Sequence, residues 1–136
     1  ENTRIFKDLI NELNAKAELL NMDLMFKNLM TTISSEAEIY KGKFKSYGKP
    51  NPTGNCSNPA IGSLFYASAT NKNSQPINDL VKLILQATSN QGTCYSSATD
   101  WAMAFPLFSD PTKYFCADSS GASKETTLAL SRTVCE

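Results

Sequence analysis

Apolar residues in the first third of the chain recur at helical spacing. Ile10, Leu13, Ala17, Leu20 and Leu24 follow one another at intervals of 3, 4, 3 and 4. Met30, Ile33, Ala37 and Tyr40 repeat a 3-4-3 rhythm. This periodicity predicts one long helix over residues 4–40. The two stripes are out of phase by one position, and the change falls in NMDLMFKNLM. A continuous helix must therefore rotate its apolar face, or bend, near Met25 and Phe26. No Gly or Pro precedes Gly42, where the helix is expected to stop. At about 1.5 Å per residue the rod reaches roughly 55 Å, more than a small core can cover. Its N-terminal half is expected to pack against something else, most simply other copies of the chain, through Ile10, Leu13, Ala17, Leu20 and Leu24.

Residues 42–60, rich in Pro, Gly and Lys, read as a loop. IGSLFYAS (61–68) reads as a short strand or an extended packed loop. SQPINDLVKLILQATSNQG is a short helix, with Pro76 at a first helical position. Ile77, Leu80, Val81, Ile84 and Leu85 form its apolar face, and Asn90 and Gly92 lie past its end. The period then changes from 3.6 to 2. A strand through Cys94 and Tyr95, a turn at Ser97–Asp100 and a strand through Trp101, Met103 and Phe105 make a hairpin. Pro106 marks an edge or a bulge there. A strand at 113–117 follows, and TTLALSRTVCE is a plausible last strand. The prediction is a single α+β domain over 1–136. A long N-terminal helix (1–41) and a loop (42–60) precede 61–136, which hold a short second helix and a 3–4-stranded antiparallel sheet.

Composition narrows the class. Thirteen basic and thirteen acidic residues cancel, so no global field steers the chain toward nucleic acid or anionic lipid. Fifteen of these 26 charges lie in the first 50 residues. The remainder, rich in Ser, Thr, Asn and Ala, suits a weakly charged extracellular surface. No run of 18 apolar residues is present. With neither an initiator Met nor a signal-peptide pattern, the sequence reads as a mature or truncated piece.

Candidate chemistry changes the picture little. Four cysteines, Cys56, Cys94, Cys116 and Cys135, have no C-x-x-C spacing, and the chain has no histidine. That disfavours a zinc site and leaves a Cys or Ser nucleophile without its usual base. Two disulfides in an oxidising compartment are the expectation, with three pairings open. Ser46 and Lys49 match a bare serine–lysine spacing but sit in a predicted loop. Glu36 and Glu38 are two apart on a helix and point to different faces. Asn55-Cys56-Ser57 fits a glycosylation sequon with a half-cystine at its centre. Asp110 and Asp118 are weak calcium candidates. Lys43-Phe44-Lys45 with Tyr47 is a thin basic–aromatic signal for nucleic acid. No catalytic residue, metal or cofactor is predicted.

The order ISSEAEIYKGKFKSYG, a Cys-containing loop, GSLFYAS, a short helix, CYSSATDWAMAF and KYFCADSSG resembles the globular domain of a bacterial type IV pilin or pseudopilin. The resemblance covers roughly residues 33–125. It implies a long N-terminal helix packed on an antiparallel sheet, with the exposed half of that helix building a filament core. It also implies the pairs Cys56–Cys94 and Cys116–Cys135, the second closing an exposed C-terminal loop around YFCADSSG. Cys94–Cys116 is the main rival link. Such pilins begin with a strongly apolar membrane segment, where this chain has the charged, amphipathic ENTRIFKDLINELNAKAELL. Any membrane contact is thus expected only through a segment this sequence does not include.

The leading functional expectation is a structural, non-enzymatic subunit of an extracellular, cell-surface filament. Its partners would be other copies of itself, the pilus assembly machinery and a surface or host ligand. The alternatives are a pseudopilin of a type II secretion system and a secreted or minor-pilin adhesin. An adhesin would draw a binding patch from Tyr66, Tyr95, Trp101, Phe105, Phe108 and Tyr114, although Trp101 reads first as core.

Overall fold

A computed structural model describes residues 2–136. Helix α1 spans Asn2–Phe44, helix α2 spans Gln75–Ala87, and four strands follow: β1 (Thr93–Ser96), β2 (Trp101–Pro106), β3 (Tyr114–Asp118) and β4 (Ser123–Thr126). The architecture is the expected α+β one, with a four-stranded antiparallel sheet in the order β1-β2-β3-β4.

Helix α1 runs unbroken for 43 residues, about 65 Å at 1.5 Å per residue. Gly42 does not stop it. A Cβ at Gly42 would meet nothing within 4 Å, so the glycine is simply an exposed helical position. The stop falls at Lys45, whose φ of 62° is left-handed and whose N–H closes onto the Lys41 carbonyl at 2.7 Å. The expected loop therefore begins three residues late, and Lys43 and Phe44 belong to the helix.

The apolar face of α1 rotates without interrupting it. Residues 3–21 are all exposed, and burial begins at Asp23 and continues through Met30, Ile33 and Ala37. These three pack with Ile77, Val81, Ile84 and Leu85 of α2, with Tyr47, Leu64 and Phe65 of the connecting loop, and with one face of the sheet. The register explains that face. Cys94 pairs with Met103, Met103 with Ala117, and Phe105 with Phe115, so all five side chains point to the helices.

The opposite face carries Tyr95, Ala102, Ala104, Tyr114 and Cys116. Trp-Ala-Met-Ala-Phe in β2 thus alternates large toward the helices and small away from them. Both faces of β2 are covered, because the C-terminal segment lies over the small residues through Leu130 and Cys135. This corrects the expected last strand: β4 is Ser123–Thr126, and residues 127–136 are irregular.

Pro106 ends an inner strand rather than an edge. It pairs with Tyr114, while β1 reaches only Ala104, so no ladder on the β1 side needs its missing N–H. Residues 61–68 form a packed loop rather than a strand, with turns at 61–62 and 64–65 and Ser63 bridging to Gly48. Helix α2 begins with Pro in its first turn and ends through left-handed Ser89 and Asn90. Gly92 then lets the Phe105 ring approach to where a Cβ would stand 2.5 Å away.

Candidate functional site

The cysteines are joined as Cys56–Cys94 and Cys116–Cys135, and none is free. Each bond fastens an irregular segment to the sheet. Cys56 ends a loop that runs along β1, where the Cys94 N–H reaches the Gly54 carbonyl at 2.8 Å and the Asn51 N–H reaches the Ser96 carbonyl at 2.9 Å. Asn51 organises that loop: it is fully buried, donates to the carbonyls of Cys94 and Asn55, and accepts the Ala60 N–H. The loop thereby covers an otherwise open sheet edge. Cys135 is clipped to β3 by its disulfide and by its N–H, which donates to Asp118 at 2.8 Å. Two disulfides place the chain in an oxidising environment.

Asp118, by sequence a weak calcium candidate, is a hydrogen-bond hub. Its carboxylate accepts from the Ser120 hydroxyl and from the N–H groups of Ser120, Ala122 and Cys135. Burial pushes this carboxyl up, but those donors together outweigh burial and hold it below the usual Asp value.

The other chemical candidates are each engaged locally and are not brought together. Ser46 accepts the Gly48 N–H at 2.9 Å, and Lys49 is exposed. Glu38 accepts the Tyr47 hydroxyl at 2.6 Å, while Glu36 lines a separate groove with Ile39, Tyr40 and Lys43. Burial first, then the hydrogen bond and charge of Glu38, push the Tyr47 hydroxyl up to about 12. Asn55 accepts from the Ser57 hydroxyl and the Asn58 N–H. Asp110 accepts from Thr112, so Asp110 and Asp118 serve different turns. No cluster of three metal-ligating side chains occurs among the described residues. Of the basic–aromatic stretch, Tyr47 is core, while Phe44 is exposed and its ring lies tilted against Tyr40 with centroids 4.7 Å apart. The six aromatics are placed differently from one another. Trp101 and Phe105 are core, Phe108 stacks on Phe26 at 5.0 Å, and Tyr66, Tyr95 and Tyr114 are half-buried.

The longest exposed run of the chain is the first half of α1. Ile10, Leu13, Ala17, Leu20 and Leu24 all lie in or at the end of the free rod, joined there by Phe6. Phe6 is 63% exposed, Leu13 57% and Leu24 58%, against 0% for Ile33. At about 100° per residue, these side chains share one face, roughly opposite the face holding Met30, Ile33 and Ala37. Contiguous exposed apolar surface of this kind is uncommon on a soluble monomer. No helix is long and apolar enough to cross a membrane among the described residues.

The rod is fastened at its exit to the rest of the domain, its head. Asp23 accepts the Phe108 N–H at 2.6 Å, the Ser109 N–H at 3.2 Å and the Ser109 hydroxyl. One turn on, Lys27 pairs with Glu125 of β4 at 2.8 Å and lies over the Phe115 ring. Asp23 was missed from the sequence. Its only signal was a carboxylate placed where the two apolar stripes change phase.

Compared with known protein families, with curated proteins and with solved structures, the chain matches none of them.

Proposed function

We propose that this chain is a structural, non-enzymatic subunit of an extracellular, cell-surface filament of the type IV pilus kind, assembling through the free half of α1. The observation that carries this reading is the apolar stripe exposed along that rod. A side chain of Leu or Ile size left in water forgoes roughly 1.5–3 kcal/mol of burial, and this helix exposes a whole row of them. The layout supports the same reading, since the contacts of Asp23 and Lys27 fasten the rod to the head where it leaves the core. The two disulfides suit an extracellular location, because they fasten loops that have little core of their own. A structural rather than catalytic role is favoured by the engagement of Ser46, Glu38, Asp110 and Asp118 in the fold's own hydrogen bonds. The partners are other copies of the chain and the machinery that assembles them.

The test is to shear the surface of cells making the native protein, view the fraction by electron microscopy, and measure the intact mass of the chain it contains. Thin filaments built of this chain uphold the proposal. A soluble monomer, with no filaments in the fraction, ends it.

A further inference from the structure

We infer that the free half of α1 pairs with a second copy of this chain as a parallel, in-register, two-stranded coiled coil. This rests on the reading of α1 as an assembly helix and specifies how its copies meet. Phe6, Ile10, Leu13, Ala17, Leu20 and Leu24 follow at intervals of 4, 3, 4, 3 and 4, an unbroken seven-residue repeat. An average spacing of 3.5 keeps these six positions facing another helix as a seam along the rod, and Ile5, Leu9 and Leu19 widen the exposed apolar face beside them. In heptad terms Ile10, Ala17 and Leu24 are a positions, and Phe6, Leu13 and Leu20 are d positions.

The seam is confined to the rod. The next positions in the same register are Lys27, Thr31, Ser34 and Glu38, all polar. It therefore ends where Asp23 fastens the helix to the head. Because the seam faces roughly away from the core, a partner helix docks without displacing α2 or the sheet.

Charge selects the occupant. A helix lying on an anionic lipid surface carries a basic polar face. Here residues 3–24 hold Arg4, Lys7 and Lys16 against Asp8, Glu12, Glu18 and Asp23. That balance suits a second helix of the same kind. Charge also selects the direction. The e positions flanking the seam are Lys7, Asn14 and Asn21, and the g positions are Leu9, Lys16 and Asp23. In a parallel pair, g faces the following e, so Leu9 meets Asn14 and Lys16 meets Asn21 of the second copy, with no like charges opposed. In an antiparallel pair that layers Phe6 on Leu24, Lys16 faces its own counterpart, and like charges in register destabilise. Ile at an a position with Leu at two d positions favours two strands.

The whole chain, with its disulfides intact, is tested by sedimentation equilibrium from low to several hundred micromolar. A monomer–dimer equilibrium is expected. Leu13→Asp is expected to weaken it by about 100-fold or more, because each seam layer is contributed twice. Disulfide mapping and the near-ultraviolet signal of Trp101 should stay unchanged in that variant, showing that the head remains folded. Phe6→Cys should cross-link to itself on mild oxidation. A monomer throughout the range, or a trimer, overturns the inference. So does a dimer in which Phe6→Cys joins only to added Leu24→Cys chains, the antiparallel signature. Filaments built from a chain that is monomeric in solution would remove the coiled coil and leave the filament reading standing. Dimers without filaments on cells would do the reverse.

Discussion

The two halves of α1 have the same secondary structure and similar apolar content, yet they face different worlds. From Met30 onward the helix buries Ile33 and Ala37 completely against α2 and the sheet. Before Asp23 it touches no other element closely enough to bury a side chain among residues 3–21. The difference lies in phase. A shift in the apolar stripe between Leu24 and Met30 turns one face to the core and leaves the other exposed. Helical periodicity reports that a face is apolar, and only long-range contact decides what covers it.

That contrast can be broken or sharpened by substitution. Within the head, Trp101→Ala is expected to cost about 3–5 kcal/mol and Ile33→Ala about 2–5 kcal/mol in urea-induced unfolding, through loss of buried surface and the cavity left behind. A cost below about 1 kcal/mol at either site would mean that the core is not packed as described.

The disulfides come next. Replacing Cys56 and Cys94 together by Ser should lower unfolding free energy by about 4 kcal/mol. The Cys116 and Cys135 pair should cost about 3 kcal/mol, because their sequence separations are 38 and 19 and the longer loop regains more chain entropy. Equal losses, or the reverse order, would show that native contacts rather than chain entropy dominate.

At the junction between the halves, Asp23→Ala leaves the Phe108 and Ser109 amides without their acceptor, at a cost of about 1–3 kcal/mol. Hydrogen exchange at those two amides should accelerate while exchange in β2 is unchanged. If the β2 amides accelerate equally, Asp23 supports the whole head rather than the exit of the rod.

A smaller effect is tied to pH. The Asp118 carboxyl is held below its usual value, so the native state favours its ionised form. Its contribution is fully present above the ordinary Asp value of about 4, and is lost as pH falls through the lowered native value. Asp118→Asn should flatten the acid limb of the stability–pH curve, read as thermal midpoints at a series of pH values. An unchanged acid limb would assign it to other carboxylates.

The smallest effect sharpens the contrast most. Leu13→Ala, measured at concentrations where the chain is monomeric, should alter unfolding by no more than about 0.5 kcal/mol. A core-sized loss would mean that the rod folds back on the head in solution.

Much of this molecule is legible in its sequence, and for local reasons. Both helices, the β1–β2 hairpin with its turn at 97–100, and the strand around Cys116 follow from spacing that each segment carries within itself. The five seam residues from Ile10 to Leu24 were legible as one face from spacing alone, and an even cysteine count without histidine pointed to an oxidising compartment. The rest depended on distant partners. Gly42 stays helical because an exposed glycine in an otherwise favourable helix costs only about 1 kcal/mol, and the stop falls at Lys45 instead. TTLALSRTVCE has apolar residues fit for a strand, but Ala102 and Ala104 leave a shallow surface on which Leu130 packs and to which Cys135 is clipped. Asp23 and Asp118 are ordinary carboxylates by sequence and become fasteners through amides 85 and 17 residues away. The sequence by itself determined both helices, the first three strands and which of their side chains share a face, because those depend on near neighbours. The tertiary structure decided which face is buried, which segments are stapled and which stripe is left open, because burial is a sum over contacts between residues far apart in the chain.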